Sequence, residues 1–257
     1  MSRIKKAFEN GKAFIGFLTA GDPNLGKTEE FVLKMIEGGA DLIEIGIPFS
    51  DPIAEGPVIQ EANIRALKAG TTVEKVFDTV RSIRSKTEVP LVFLTYLNPV
   101  FHYGYDAFLN KCRECGIDGI IIPDMPYEEK SEIVSIAKQY DVDIISMIAP
   151  TSEERIGMIA KEAEGFVYVV SSMGVTGVRS EIKTDLKTMI DIVKKNTDTP
   201  AAIGFGISTP EQAEHFSVFS DGVIVGSAIV KIIEKYGENS GEPLYEYVKS
   251  MKNAVKK

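Results

Sequence analysis

Three carboxylates fall within a dozen residues of one strand end, in the stretch DLIEIGIPFSDPIAEGPVIQ from Asp41 to Gln60. Glu44 stands among Leu42, Ile43 and Ile45, so it reads as the middle of a buried strand, where an ionised carboxylate is costly unless it is paired or used. Gly46 and Pro48 end that strand. Pro52, Gly56 and Pro57 stiffen the loop that follows, which carries Ser50, Asp51 and Glu55. Rigid loops at strand ends are common carriers of chemistry. Glu44 on its own could be a core acid paired with a lysine or arginine. Clustered with two further acids, glycine and proline, it reads as a functional group, with Glu55 as an acid on the adjoining loop.

A second set of residues suits an anion. Gly174–Gly177 (GVTG), Gly204 and Gly206 (GFG), and Gly226 with Ser227 follow the last three strand patterns. Glycines admit a ligand close to backbone N–H groups. Ser227 begins a helical pattern, so its N–H and hydroxyl would face an anion at the positive end of the dipole. Taken singly, each motif is an ordinary turn with a serine cap; on consecutive strands they read as a phosphate cradle. Other candidates read as structure. Cys112 and Cys115 are three apart on a helix with no second pair beside them, unlike a zinc site, so no metal site is expected. His102 and His215 lie beside no nucleophile, and His215 reads as a helix-surface residue. Tyr103 and Tyr105 read as packing, and Glu128-Glu129-Lys130 as a solvated helix face.

These residues need a scaffold that brings strand ends together. Apolar runs at 13–19, 41–45, 90–96, 119–122, 143–148, 165–170, 201–205 and 222–225 read as strands, each followed by a helical period. The helices fall at 28–37, 59–68 with 73–85, 105–114, 128–140, 153–162, 186–195, 210–216, and 228–235 with 244–255. Ile4, Ala7 and Phe8 add a short N-terminal amphipathic helix. The strands are continuously apolar, as strands buried on both faces are. GGADLIEIG, CGIDGIIIP and FSDGVIVGS weakly repeat one helix-end, turn and strand pattern. The expected fold is a single-domain (β/α)8 TIM barrel over residues 1–257, with an extra N-terminal helix and a short phosphate-binding helix after strand eight. An open doubly wound sheet would want a Gly-rich fingerprint after strand one, and Ala20-Gly21-Asp22-Pro23 does not fit it.

Composition agrees. Hydrophobic residues make up 44% of the 257 residues, ample for a barrel core. A net charge of −8 disfavours nucleic acid and anionic membrane as partners. No apolar run is long enough to span a bilayer, no signal peptide is read at the N-terminus, and two cysteines do not make a disulfide scaffold, so the expected compartment is cytoplasmic.

The motifs GFLTAGDP (16–23), IEIGIPFSDP (43–52), SMGVTGVR (172–179), IGFGIS (203–208) and GSAIVKIIE (226–234) together resemble the alpha subunit of tryptophan synthase. The resemblance implies a (β/α)8 barrel that cleaves indole-3-glycerol phosphate to indole and glyceraldehyde 3-phosphate. It implies Glu44 as the proton shuttle and residue 55 as the second catalytic acid. Phe17 would pack on the indole and Tyr168 would lie near the carboxylates. The remaining substrate-binding positions are Thr176 and Gly177 of GVTG, Phe205 and Gly206 of GFG, and Gly226 and Ser227. The chain would hold no cofactor, and indole would pass to a pyridoxal-phosphate beta subunit in a tetramer of two alpha and two beta chains. An alternative is a weakly active subunit that mainly activates its beta partner; a related phosphate-binding barrel isomerase would want differently arranged acids. The chain departs from the family where Ala54-Glu55-Gly56-Pro57 replaces A-D-G-P, lengthening that acid by one methylene, roughly 1.5 Å. It also has Ser172 where relatives often carry Arg. The segment from Ser171 to Lys183 is expected to become ordered on ligand binding.

Overall fold

The computed structural model describes residues 3–170, 185–204 and 206–255. Its strands are β1 (Ala13–Thr19), β2 (Leu42–Gly46), β3 (Leu91–Leu94), β4 (Gly119–Ile121), β5 (Asp143–Ile148), β6 (Glu164–Val170), β7 (Ala201–Gly204) and β8 (Gly222–Val225). Each pairs in parallel with the next and β8 pairs with β1, which closes the barrel. Closure removes every free edge, and the helices between strands cover the outer face.

Side-chain alternation sorts the strands between two cores. In β2, Leu42 joins the inner cluster with Ile15, Val92, Ile121 and Phe166, while Ile43 and Ile45 join the outer cluster beneath the helices. Glu44 therefore points inward, the one polar residue of its strand. The N-terminal helix is a single turn, Arg3–Lys6, shorter than its apolar spacing suggests, and the amides of Ala7 and Phe8 bond back only three residues. It still brings Ile4 into the inner cluster. Arg3 anchors it through Asp118 (2.8 Å), which Arg84 also holds (2.8 Å).

Most helices begin and end within a few residues of the apolar period. The helix Leu25–Glu37 starts three residues early, because Asn24 accepts from the Lys27 amide and caps it. Two regions differ in kind. The run 90–96 holds one strand, shorter than expected: β3 ends at Leu94, and a helix that the apolar pattern did not mark, Leu97–Tyr103, follows. Pro99 does not interrupt this helix, because it occupies the first turn, where its missing N–H would have had no partner. Asp124 accepts from the Leu97 amide at 2.8 Å and fixes the helix start.

The run 128–140 is also divided, into a 3-10 turn (Tyr127–Glu129), a helix (Ser131–Ala137) and a second 3-10 turn (Lys138–Tyr140). Lys130 does not belong to a solvated face. It is 8% exposed and donates to Ser146 Oγ (3.0 Å) and the Glu162 carbonyl (3.4 Å) against the outside of β5. Its aliphatic stem fills the layer while its ammonium finds neutral acceptors. Cys112 and Cys115 are both buried and free, part of the outer core.

Candidate active site

At the carboxyl ends of the strands an apolar cleft opens, lined by Phe17, Leu94, Tyr96 and Ile224 and bounded by Glu44 and Glu55. Glu44 lies on the β2 face that looks into the barrel, opposite Phe17 of β1 and Val92 of β3 in register. It is 1% exposed, and its Oε1 has no hydrogen-bond partner. Among the described residues no cation neutralises it, and burial pushes its carboxyl up to about 8. Pairing with a core lysine or arginine, the ordinary explanation for a strand-borne acid, is not seen among the described residues. What remains is a carboxyl kept neutral at pH 7 and facing the cleft, a proton donor in form.

Glu55 comes from the loop after β2 and is 6% exposed. Its Oε2 accepts from Asn63 Nδ2 at 2.8 Å, and its backbone carbonyl accepts from Gln60 Nε2 at 2.7 Å. Burial raises its carboxyl to about 7, against hydrogen bonds from Asn63 and Tyr96 that lower it. It is therefore partly ionised at neutral pH while Glu44 is mostly protonated. Two acids pushed to different values in one cleft can divide donor and acceptor work between them. Asp51, the third acid of the stretch, stands apart: it is exposed, bonds its neighbour Ser50 (2.5 Å), and does not line the cleft.

Tyr168 of β6 is buried beside Glu44, and both burial and that neighbour push its hydroxyl well up, so it stays protonated. Its ring needs Gly204 on β7, where a Cβ would fall 2.4 Å from the Tyr168 hydroxyl. Phe17 packs with Ile59, Ala62 and Val230, which binds the cleft wall to the helices Pro57–Lys68 and Ser227–Tyr236. Gly206, Gly226 and Ser227 line the same cleft. Gly206 has φ +95, a conformation that favours glycine. Ser227 opens a ten-residue helix whose first amides lack intrahelical acceptors. The cleft thus has an acid-bearing floor and a rim of backbone donors suited to an anion.

Phe17, Tyr168, Gly206, Gly226 and Ser227, all expected from the sequence, therefore share the cleft with the two acids or border it, and Tyr96, which follows β3, lines it too. Thr176, Gly177 and Phe205 lie outside the described residues, as does the segment from Ser171 to Lys183. Asn98 is exposed on its helix and does not line the cleft, and Asp124 serves as a helix cap. Sequence reasoning missed Asn63, although the signal was present: it is the lone polar residue on the buried stripe Ile59, Ala62, Asn63, Ala66. It also missed the apolar wall residues Ile59, Leu94, Met147 and Ile207, whose side chains carry no chemical mark.

A closed parallel barrel with an acid-floored cleft and helix-terminal donors at its strand ends defines a (β/α)8 barrel of the kind that works on that face. A family model described as tryptophan synthase alpha chain matches residues 3–256. The chain is 50% identical to a tryptophan synthase alpha chain of Lacticaseibacillus casei, over 99% of this chain and 96% of that one. Among solved structures it resembles tryptophan synthase subunit alpha from Legionella pneumophila (TM-score 0.89, 35% identity, covering 99% and 98% of the two chains). It also resembles a chain from a structure of the tryptophan synthase a2b2 complex of Pyrococcus furiosus (TM-score 0.87, 37% identity, covering 95% and 99%). The chain belongs to the tryptophan synthase alpha chain family.

Proposed function

We propose that the chain performs the family's aldol cleavage of indole-3-glycerol phosphate to indole and glyceraldehyde 3-phosphate, and passes indole to a beta subunit within a tetramer of two alpha and two beta chains. The observation that carries this reading is Glu44: a cleft-facing carboxyl, paired with no cation among the described residues, with burial favouring its neutral form.

The reaction needs a proton delivered to indole C3, a proton removed from the hydroxyl on the adjoining glycerol carbon, and relief of the positive charge that grows on the ring nitrogen. Glu44 donates its proton to C3, which makes that carbon tetrahedral. The resulting carboxylate then accepts the hydroxyl proton. The hydroxyl oxygen forms the aldehyde C=O, the C–C bond breaks, and its electron pair restores the aromatic ring of indole. Glu44 ends protonated as it began, so one residue serves as acid and then base. Glu55, in its ionised form, accepts the indole N–H and stabilises the charge there. Phe17 and Leu94 supply apolar contact for the ring. Tyr168 stays neutral and shields Glu44 from water. The phosphate lies against the backbone amides at Gly206, Gly226 and Ser227, and binding energy gained there holds the reacting carbon over Glu44.

The cleavage needs no cofactor from this chain; the pyridoxal phosphate of the second step belongs to the beta subunit. Among the described residues no helix is long and apolar enough to cross a membrane, and no group of three or more His, Cys, Asp or Glu could hold a metal ion. Indole release from indole-3-glycerol phosphate, measured with and without the beta subunit, tests the reading. Cleavage by the alpha chain, increased when the beta subunit is added, supports it. Absence of cleavage in the assembled complex would leave only the activating role for the partner.

A further inference from the structure

Glutamate at position 55 adds a rotatable bond to an acid that must meet one small N–H group. A longer side chain on a loop has more positions to lose, unless neighbours fix it. Two polar side chains from different elements do so. Asn63, buried on the helix Pro57–Lys68, donates through Nδ2 to Glu55 Oε2 at 2.8 Å. Tyr96, 2% exposed at the end of β3, reaches the same carboxylate with its hydroxyl. The direction of that second bond is set by a third group. The Ala54 amide donates to the Tyr96 oxygen at 3.2 Å, so the Tyr96 proton is free to point at Glu55.

Both partners are themselves held. Two positions beyond Asn63, Arg65 grips Asp22 in the loop after β1 with two bonds of 2.8 Å, which fixes the helix against the barrel. The Tyr96 ring packs at a tilt against Phe49, centroids 5.5 Å apart.

We propose that Asn63 and Tyr96 are positioning residues for the reaction: they aim the Glu55 carboxylate, hold it in its charged form, and through Tyr96 tie that charge to the loop backbone at Ala54. The inference rests on the role given to Glu55 above. Among the described residues, several groups surround or share the cleft with Glu55. The helix presents Asn63. The β3 end presents Tyr96, with the Asp124 carboxylate behind it. The floor presents Glu44, protonated at neutral pH, and the β1 and β8 sides present neutral Phe17, Ile224 and Ser227. Among the described residues only Asn63 and Tyr96 favour the charged form, so removing either shifts Glu55 toward its neutral, inactive form.

The test is the pH–rate profile of indole-3-glycerol phosphate cleavage by Tyr96→Phe, Asn63→Leu and Asn63→Asp in complex with the beta subunit. Phe and Leu nearly preserve shape. Each should move the acid limb up by about one pH unit, the size of one lost bond to a carboxylate, and lower turnover about fivefold at pH 7. Asn63→Asp should move the limb further than Leu, because a second carboxylate repels the first. Unmoved acid limbs in Tyr96→Phe and Asn63→Leu, with turnover intact, would overturn the proposal while leaving the cleavage reading in place. The titration of the Glu55 side-chain carbon, followed by NMR and assigned with Glu55→Gln, reads the same clasp without turnover. An upward shift in Tyr96→Phe supports the proposal even if cleavage fails for another reason, and an unchanged titration overturns it.

Discussion

Keeping Glu44 buried should make the protein less stable as pH rises, and replacing it with glutamine should relieve that cost. Its carboxyl moves from an ordinary value of 4.5 to about 8 in the fold. Below pH 4.5 it is protonated in both folded and unfolded chains and makes no pH-dependent difference. Between 4.5 and 8 the unfolded chain loses the proton and the folded chain keeps it, so stability falls with pH at up to about 1.4 kcal/mol per unit. Above 8 the penalty is constant. Glu44→Gln resembles the protonated form but does not titrate, so its stability relative to wild type should climb across the same window. Integrating the two titration curves gives a gain that grows by about 2.5 kcal/mol between pH 5 and pH 7. Glu55 titrates alike in both proteins and cancels. Urea unfolding of the two proteins at pH 5, 6, 7 and 8 measures the difference. A difference that does not change with pH would show that Glu44 titrates as an ordinary acid, and the proton-donor argument would fail with it.

Other outcomes follow from the cleft. Cleavage should show a bell-shaped pH dependence, with the acid limb near 7 set by Glu55 losing its charge and the basic limb near 8 set by Glu44 losing its proton; a profile flat from pH 6 to 9 would contradict the division of roles. Gly206→Val puts a branched side chain on a backbone at φ +95 beside the anion rim, and should raise KM by about tenfold or more while lowering kcat less. Unchanged substrate affinity in this variant would move the phosphate elsewhere. Glu55→Ala should lose about 10²–10³ in turnover, whereas Glu55→Asp should retain substantial activity; a harmless Glu55→Ala would require another partner for the indole nitrogen.

The barrel was legible because both-face burial leaves a mark that residue type alone carries: short, continuously apolar strands alternating with amphipathic helices. Glu44 was legible for the converse reason, as the charged residue inside such a strand. Local competition was harder to read. The helix Leu97–Tyr103 hides behind Asn98-Pro99, and its start depends on a cap from Asp124, twenty-seven residues away. Lys130 looked solvated beside Glu128 and Glu129, but it follows a 3-10 turn and packs against β5. Asn63 is legible as an oddity on its stripe, yet its partner could be known only once the loop and helix were folded together. Asp51 shows the opposite error, since nearness in sequence to Glu44 and Glu55 did not bring it to the cleft.

The central claim is that one buried carboxyl performs both proton transfers. Glu44→Gln keeps the size and neutrality of the protonated side chain but cannot give up or take back that proton. The decisive measurement is turnover of indole-3-glycerol phosphate by this variant with the beta subunit present, alongside its affinity for the substrate. The account predicts near-complete loss of cleavage with substrate still bound. Turnover near the wild-type rate would contradict it.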